Sequence, residues 1–365
     1  MTTSRIAFIG EAWGENEAKL QRPLVGSSGV ALFEMMHDAG MISLTSTDRD
    51  LIRQWWFKRD PIYVALLWER YPQFYTTNVF NLRPDRNDIE TLCCPKAEDK
   101  LGLPPLRTGK YIRAEYKGHL ERLFAELQEV RPIISILLGN TASWAVLRNS
   151  GITKIRGTVT NSPYGKSIPI FHPAAILRDW SLRPVTVLDL AKAKRESAYP
   201  EVRRPERVIY TAPSLNDLEW YYEAYLKNAK RIAFDVETSG NQITCIGFSP
   251  TPASAIVVPF FDPRGTAGSY WPDPANEVLA WEWVIKVLLL PCDKTAQNAL
   301  YDITFLWKSY GFVVKGLSND TMLLHHALQP ESPKGLGYLG SVYTNEASWK
   351  LMRSRGKHGT IKRDE

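Results

Sequence analysis

The sequence predicts an α/β protein built from two domains. Three observations predict it. The chain has 365 residues, and domains commonly run to roughly 100–200 residues. Short apolar strands alternate with helical stretches, the mark of a parallel sheet covered by helices. Between Tyr199 and Pro205 a stretch mixing prolines with charge interrupts that alternation. The expected division is a first domain at 1–197, a linker at 198–206 and a second domain at 207–365.

The elements follow in order. Arg5–Gly10 reads as a short buried strand running straight into a glycine-bearing turn. Ser27, Ser28 and Gly29 then lead into Val30, Ala31, Leu32, Phe33, Met35 and Met36, the pattern of an N-capped buried helix. The aromatic-rich stretch 40–75 is expected to pack as amphipathic helix. Thr76–Leu82 reads as a second strand, and 83–115, punctuated by Pro84, Pro95, Pro104, Pro105 and Gly109, as irregular chain. Leu120, Leu123, Phe124, Leu127 and Val130 form one helical stripe. Ile133–Leu138, apolar except for Ser135, reads as a strand ending at Gly139. A helix over Thr141–Leu147, a strand over Ile168–Phe171 and a closing helix over Leu188–Glu196 follow.

In the second domain, Val208–Thr211 is a strand and Ser214 caps a helix carrying Leu218, Tyr221, Tyr222 and Tyr225. Ile232–Val236 is a strand, with Cys245–Phe248 and Ala255–Pro259 as antiparallel neighbours.

Composition narrows the function. Apolar stretches such as Ile133–Leu138, broken by Ser135, and Val287–Leu290 are far shorter than the ~18 residues that span a bilayer. Cys93, Cys94, Cys245 and Cys292 form no CxxC pair and no zinc spacing, which reads as reduced thiols. The expectation is a cytoplasmic protein without a membrane partner. Net charge is +6. Residues 1–200 hold 27 basic and 21 acidic residues, the remainder 18 of each, and the last fifteen residues five basic and two acidic. A basic first half suits a polyanionic partner such as nucleic acid.

Three loops after apparent strands carry unusual residue choices, and function in such sheets collects at strand carboxyl ends. They are Gly10-Glu11-Ala12-Trp13-Gly14-Glu15-Asn16-Glu17, continuing to Arg22-Pro23-Leu24-Val25-Gly26; Thr77-Asn78-Val79-Phe80-Asn81; and Phe171-His172-Pro173-Ala174-Ala175-Ile176-Leu177-Arg178. Singly, each has a plain explanation: a helix-capping acid, a turn asparagine, a structural His-Pro. Together, in this order on an α/β pattern, they resemble the uracil-DNA glycosylase superfamily, in particular its family-four-like branch, over about residues 5–195.

That resemblance implies a three-layer α/β/α domain that extrudes a base and cleaves its glycosidic bond. It implies that neutral His172 donates to the uracil carbonyl that gains charge, as an oxyanion hole does. Asn78 reads the uracil edge, and Glu11 or its backbone at Gly10–Glu11 positions the attacking water. Pro173–Arg178 follows the DNA strand, with Ile176 or Leu177 as a wedge. The substrate partner is single-stranded or uracil-containing DNA. Two departures stand out. Relatives carry phenylalanine where this chain has Leu24, which lacks a π face; Trp13 is a candidate replacement ring. Relatives with an iron–sulfur cluster carry four cysteines including an N-terminal CxxC, so no iron–sulfur cluster is expected.

In the second domain, Asp235 and Glu237 sit at i and i+2 on an apolar strand, which puts both carboxylates on one face. A divalent cation relieves their repulsion, and Mg2+ or Mn2+ suits hard oxygen ligands. About 60 residues later, Asn298 and Asp302 are expected at i, i+4 on one helix face. This pattern resembles the 3′–5′ proofreading exonuclease domain of family A DNA polymerases, an RNase H-like fold, particularly in phage enzymes. The resemblance makes Asp235, Glu237 and Asp302 metal ligands in a two-metal hydrolysis. It also requires a Tyr-x-x-x-Asp motif that Tyr343-Thr344-Asn345-Glu346-Ala347 does not supply. The expectation is therefore an incomplete exonuclease domain, weak or inactive alone, completed by a downstream polymerase polypeptide. The whole would be the N-terminal part of a phage polymerase in the bacterial host cytoplasm. The competing reading is a catalytically inactive DNA-binding and tethering subunit.

Overall fold

The computed structural model describes residues 6–262 and 268–346, with the backbone of 353–355 and 361–363. Arg5 at the expected start of the first strand, Ala347, and most of the basic tail lie outside the described residues. The chain forms two compact units, residues 1–203 together with 340–365, and residues 204–339. Among the described residues, no helix is long and apolar enough to cross a membrane.

The strands, in chain order, are β1 (Ile6–Ala12), β2 (Phe74–Phe80), β3 (Cys93–Cys94), β4 (Tyr111–Ile112), β5 (Ile134–Leu138), β6 (Thr160–Ser162) and β7 (Gly165–Ile170) in the first unit. The main sheet runs β2-β1-β5-β7-β6. Its first four strands are parallel and β6 is an antiparallel edge. Both faces are covered, so β1 and β5 are apolar along their buried lengths except for Ser135. Ala7, Ile9, Val79 and Leu137 pack with Leu120, Leu123 and Leu127 of the helix Lys117–Val130. On the opposite face Phe8 meets Trp68 and Phe74, and Phe33 meets Trp68. The result is the expected α/β/α layering.

Residues 40–75 correct the expectation of one amphipathic stretch. They form two helices, Ser46–Lys58 and Ile62–Glu69. Arg59 ends the first in a left-handed conformation (φ 54°), and Pro61 stands at the head of the second. A proline lacks the amide that a continuous helix needs there.

The expected linker starts too early. Lys166 is fully buried, and its ammonium donates to the carbonyls of Glu196 (2.6 Å), Tyr199 (2.6 Å) and Glu201 (3.1 Å) and to the Glu196 carboxylate. A buried cation must be satisfied this way, and the bonds tie 196–201 to the first unit. The segment from Gly340 also groups with this unit, instead of the whole of 207–365 forming the second. Buried Lys192 donates to the carbonyls of Gly157 (2.7 Å), Ser341 (2.9 Å) and Thr344. Arg156, paired with Asp189 in the interior, also donates to Ser341.

The second unit contains β8 (Val208–Tyr210), β9 (Arg231–Ser239), β10 (Gln242–Thr251), β11 (Ser254–Pro259), β12 (Asp293–Ala296) and β13 (Leu317–Asp320). They order as β13-β12-β9-β10-β11-β8. The run β9-β10-β11 is antiparallel, and β12 and β13 continue it in parallel. Three antiparallel strands extended by two parallel ones give the RNase H-like α/β arrangement. Ser214 caps Leu215–Tyr221 as expected, accepting from Asp217 N–H in a capping box.

Candidate active site

In an open parallel sheet, a ligand crevice forms where successive strands are laid to opposite sides. Here that point is β1: β2 lies on one side and β5 on the other. The carboxyl end of β1 is Gly10-Glu11-Ala12, and the ends of β2, β5 and β7 lead to Asn78, Gly139 and His172.

Gly10 pairs with Asn78 across the two strands. A Cβ on Gly10 would lie 2.2 Å from Asn78 Oδ1, so glycine is required for the amide to lie across the strand. The Asn78 backbone carbonyl accepts from Arg122 at 2.6 Å. Its side-chain amide makes no hydrogen bond among the described residues although the residue is almost fully buried. An amide left uncommitted in such a place can both donate and accept to a ligand edge.

His172 is half-buried and caps the helix Pro173–Arg178, with Pro173 buried at its first position. Nδ1 accepts from the Ala174 N–H at 3.1 Å. The ring proton therefore sits on Nε2, leaving that nitrogen as a neutral donor. Desolvation, helped by the nearby Arg178 cation, pushes the imidazole pKa down to about 4. Gly139, in the left-handed region (φ 83°), lets the next helix begin close by; a Cβ there would sit 3.2 Å from His172 Cβ. Two residues into that helix, the Thr141 hydroxyl donates to Glu11 Oε2, fixing the carboxylate.

Trp13 is half-buried, and its backbone N–H donates to Leu82 O at 3.0 Å. Its indole Nε1 is buried without a partner among the described residues. Leu24 is buried in a left-handed conformation (φ 55°), with its carbonyl accepting from Trp68 Nε1 at 2.9 Å. On the Pro173–Arg178 helix the wedge expectation is corrected in part. Ile176 is buried, while Leu177 and Arg178 are exposed. The helix docks Ile176 inward, which leaves Leu177 as the outward apolar residue.

Sequence reasoning missed two positioning residues. The Glu17 carboxylate accepts from Val25 N (3.1 Å) and Gly26 N (2.9 Å), shaping the loop after Leu24. Arg122 braces the end of β2 through the carbonyls of Asn78 and Val79 and the Thr77 hydroxyl. The acid within Gly14-Glu15-Asn16-Glu17 was the available signal for Glu17. Arg122 gave none beyond its place on an amphipathic helix.

A four-thiolate cluster does not fit this unit. It needs four cysteine ligands, and the first 200 residues carry only Cys93 and Cys94. Both are buried on the two-residue strand β3, and burial pushes the Cys93 thiol up to about 11. A thiol in that state is a poor metal ligand.

In the second unit β9 alternates as expected. Ile232, Phe234 and Val236 face the core, and Asp235 and Glu237 face outward together. Desolvation and the Glu237 charge push the Asp235 carboxyl upward. Asn298 corrects the expected i, i+4 pair. It is the left-handed residue (φ 57°) ahead of the helix Ala299–Tyr310, so it does not share a helical face with Asp302. The Asp320 carboxylate fixes this turn by accepting from Asn298 N (3.0 Å) and Ala299 N (2.8 Å).

Asp302 is buried in the first turn and accepts from Val236 N at 3.0 Å. Pairing with β12 has been observed only as far as Ala233, and Asp302 satisfies this amide further along β9. Its carboxyl is pushed up to about 6 by desolvation, with the Asp235 charge contributing. Asp235, Glu237 and Asp302 thus form a charge-coupled chain of carboxylates. No three acid, histidine or cysteine side chains among the described residues converge at metal-binding geometry. The acids have the right donor chemistry for a hard divalent cation, and Asp235 and Glu237 are its exposed members.

Glu11, Asn78 and His172 stand at or just past the carboxyl ends of β1, β2 and β7, and the sequence profile of the uracil DNA glycosylase superfamily matches residues 1–200. The chain belongs to the uracil DNA glycosylase superfamily. It is 29% identical over 196 residues to a type-4 uracil-DNA glycosylase of Thermotoga maritima, covering 52% of this chain and 77% of that protein. It is 26% identical over 212 residues to one of Sulfurisphaera tokodaii, covering 54% and 72%. Among solved structures it is similar to the Nibbler EXO domain of Aedes aegypti, with 17% identity, 41% of this chain and 75% of that one covered, and a TM-score of 0.31. It is also similar to the catalytic core of RRP6 from Trypanosoma brucei, with 18% identity, coverages of 41% and 40%, and a TM-score of 0.30.

Proposed function

We propose that the first unit excises uracil from DNA. The observation that carries this reading is His172: a neutral imidazole whose Nδ1 is held by a backbone amide and whose Nε2–H is free to donate. Water, positioned by Glu11, attacks C1′ of the extruded nucleotide and gives up its proton to the carboxylate. The N1–C1′ bond breaks, and its electron pair passes to the uracil ring, where His172 Nε2–H stabilises the developing charge on the carbonyl oxygen. Asn78 holds the base edge. A neutral donor suits this task because it does not need to lose charge before acting. The test is release of free uracil from single- and double-stranded oligonucleotides by the full chain. Absence of release under conditions where a known glycosylase works removes the reading.

The type-4 uracil-DNA glycosylases the chain resembles support DNA as the partner. The finer reading is that this is the N-terminal part of a phage family A DNA polymerase in the host cytoplasm. In it the second unit contributes Asp235, Glu237 and Asp302 to Mg2+- or Mn2+-dependent 3′–5′ hydrolysis, with Asn298 at the strand-to-helix turn and a polymerase polypeptide as partner. This rests on the acid pair on β9 and the buried Asp302 beside it.

One observation favours a second reading, in which the first unit binds or tethers DNA without cleaving. Leu24 stands where relatives stack a phenylalanine, and base–aromatic stacking is worth ~1–3 kcal/mol. Uracil-independent DNA binding that survives His172→Ala, with no uracil release by the parent chain, is the signature of that reading.

A further inference from the structure

We propose that Trp180 is a stacking platform for an unpaired base of single-stranded DNA, two to three nucleotides from the extruded one. Trp180 follows the helix headed by His172 and opens the short turn Trp180–Leu182. It is 65% exposed, unusual for so large an apolar side chain. The Arg183 guanidinium lies over its ring at 4.9 Å from the centroid, and Arg183 is itself held by Asp38. One face of the indole is therefore backed by a fixed cation, and the exposure leaves the other open.

The turn is held in place. The Asp179 carboxylate accepts from Ser181 N (3.1 Å) and Ser181 Oγ (2.6 Å). Leu177 (44% exposed), Arg178, Trp180 and Arg183 alternate apolar and cationic side chains, while the Asp179 carboxylate between them is engaged by Ser181. That alternation is what a single strand needs: an aromatic face for the base and cations for the phosphates. A paired, stacked base has both faces covered by its neighbours, so a duplex offers this ring nothing comparable.

The spacing gives the register. Six helical residues at 1.5 Å each separate His172 from the turn by about 9 Å, and a stacked strand rises ~3.4 Å per nucleotide. This placement beside an extruded nucleotide rests on the glycosylase reading. The platform itself is tested without it.

The experiment measures binding of the full chain to a fluorescein-labelled 16-mer lacking uracil, as a single strand and as a duplex, at one fixed salt concentration. Trp180→Ala is expected to weaken single-strand binding about 5- to 100-fold, with duplex binding changed less than threefold. Trp180→Phe, which keeps a ring, is expected to stay within threefold of the parent on both. A single-strand loss below fivefold in Trp180→Ala, an equal loss on the duplex, or a Phe variant as weak as Ala overturns the proposal. Uracil release by the parent chain is measured in parallel. A chain that releases no uracil but loses single-strand affinity on Trp180→Ala removes the glycosylase reading and keeps the platform.

Discussion

Acidification is the most informative perturbation of His172. In the folded chain its pKa is about 4, against about 6.5 in an unfolded chain. Above pH 6.5 both states hold a neutral ring and the group contributes no pH dependence. Between 6.5 and 4 the unfolded chain takes up a proton that the folded chain refuses, so stability falls as pH falls. Below 4 both are protonated and the loss is complete. A difference of 2.5 pKa units corresponds to about 3 kcal/mol in full, and about 2 kcal/mol of it is reached by pH 5. His172→Gln removes the titration. Urea denaturation of both proteins at pH 7 and pH 5 should show the stability gap moving by about 2 kcal/mol in favour of His172→Gln at the lower pH. An unchanged gap, or a ring titration near 6.5 in the NMR spectrum of the folded protein, refutes the desolvated neutral imidazole.

Other expectations follow from the same contacts. Gly10→Ala places a methyl group 2.2 Å from Asn78 Oδ1, so the amide must swing away; uracil release should fall at least tenfold with thermal unfolding still cooperative, as calorimetry and release kinetics will report. Asp302→Ala leaves the buried Val236 amide unpaired and should cost ~1–3 kcal/mol. Asp302→Asn keeps the acceptor and removes a charge whose folded pKa is raised to about 6. The ionised parent pays for burial at pH 7 and recovers stability as pH falls below 6, so Asp302→Asn should be the more stable protein at pH 7 and lose that advantage near pH 4. Arg122→Ala frees the carbonyls of Asn78 and Val79 and should raise the KM for uracil-containing DNA severalfold, which steady-state release kinetics will measure.

The strands were legible because buried strands of an α/β sheet are largely apolar runs, as in Ile134–Leu138 with Ser135 its one polar residue, and because β9 alternates with Asp235 and Glu237 outward. Gly10 and Asn78, toward the carboxyl ends of β1 and β2, and His172, just past β7, were legible for a related reason: each closes or follows such a run. What escaped depended on long-range partners or on one backbone angle. Arg122 acts on residues 43 to 45 positions away in sequence. Asn298 fits a helical spacing, but its left-handed conformation places it outside the helix. Ile176 and Leu177 are adjacent and equally apolar, and docking of their six-residue helix decides which one is exposed. The Asp60-Pro61 pair marks the break inside 40–75 that the expectation of amphipathic helix passed over.

Excision by this route depends on His172 Nε2–H stabilising the leaving uracil. Single-turnover uracil release, with protein in excess over a uracil-containing oligonucleotide, tests it most directly. His172→Ala should cleave ~10²–10³-fold more slowly than the parent chain, the cost of losing one oxyanion donor, while binding the oligonucleotide about as tightly. Cleavage by His172→Ala within threefold of the parent would contradict the account.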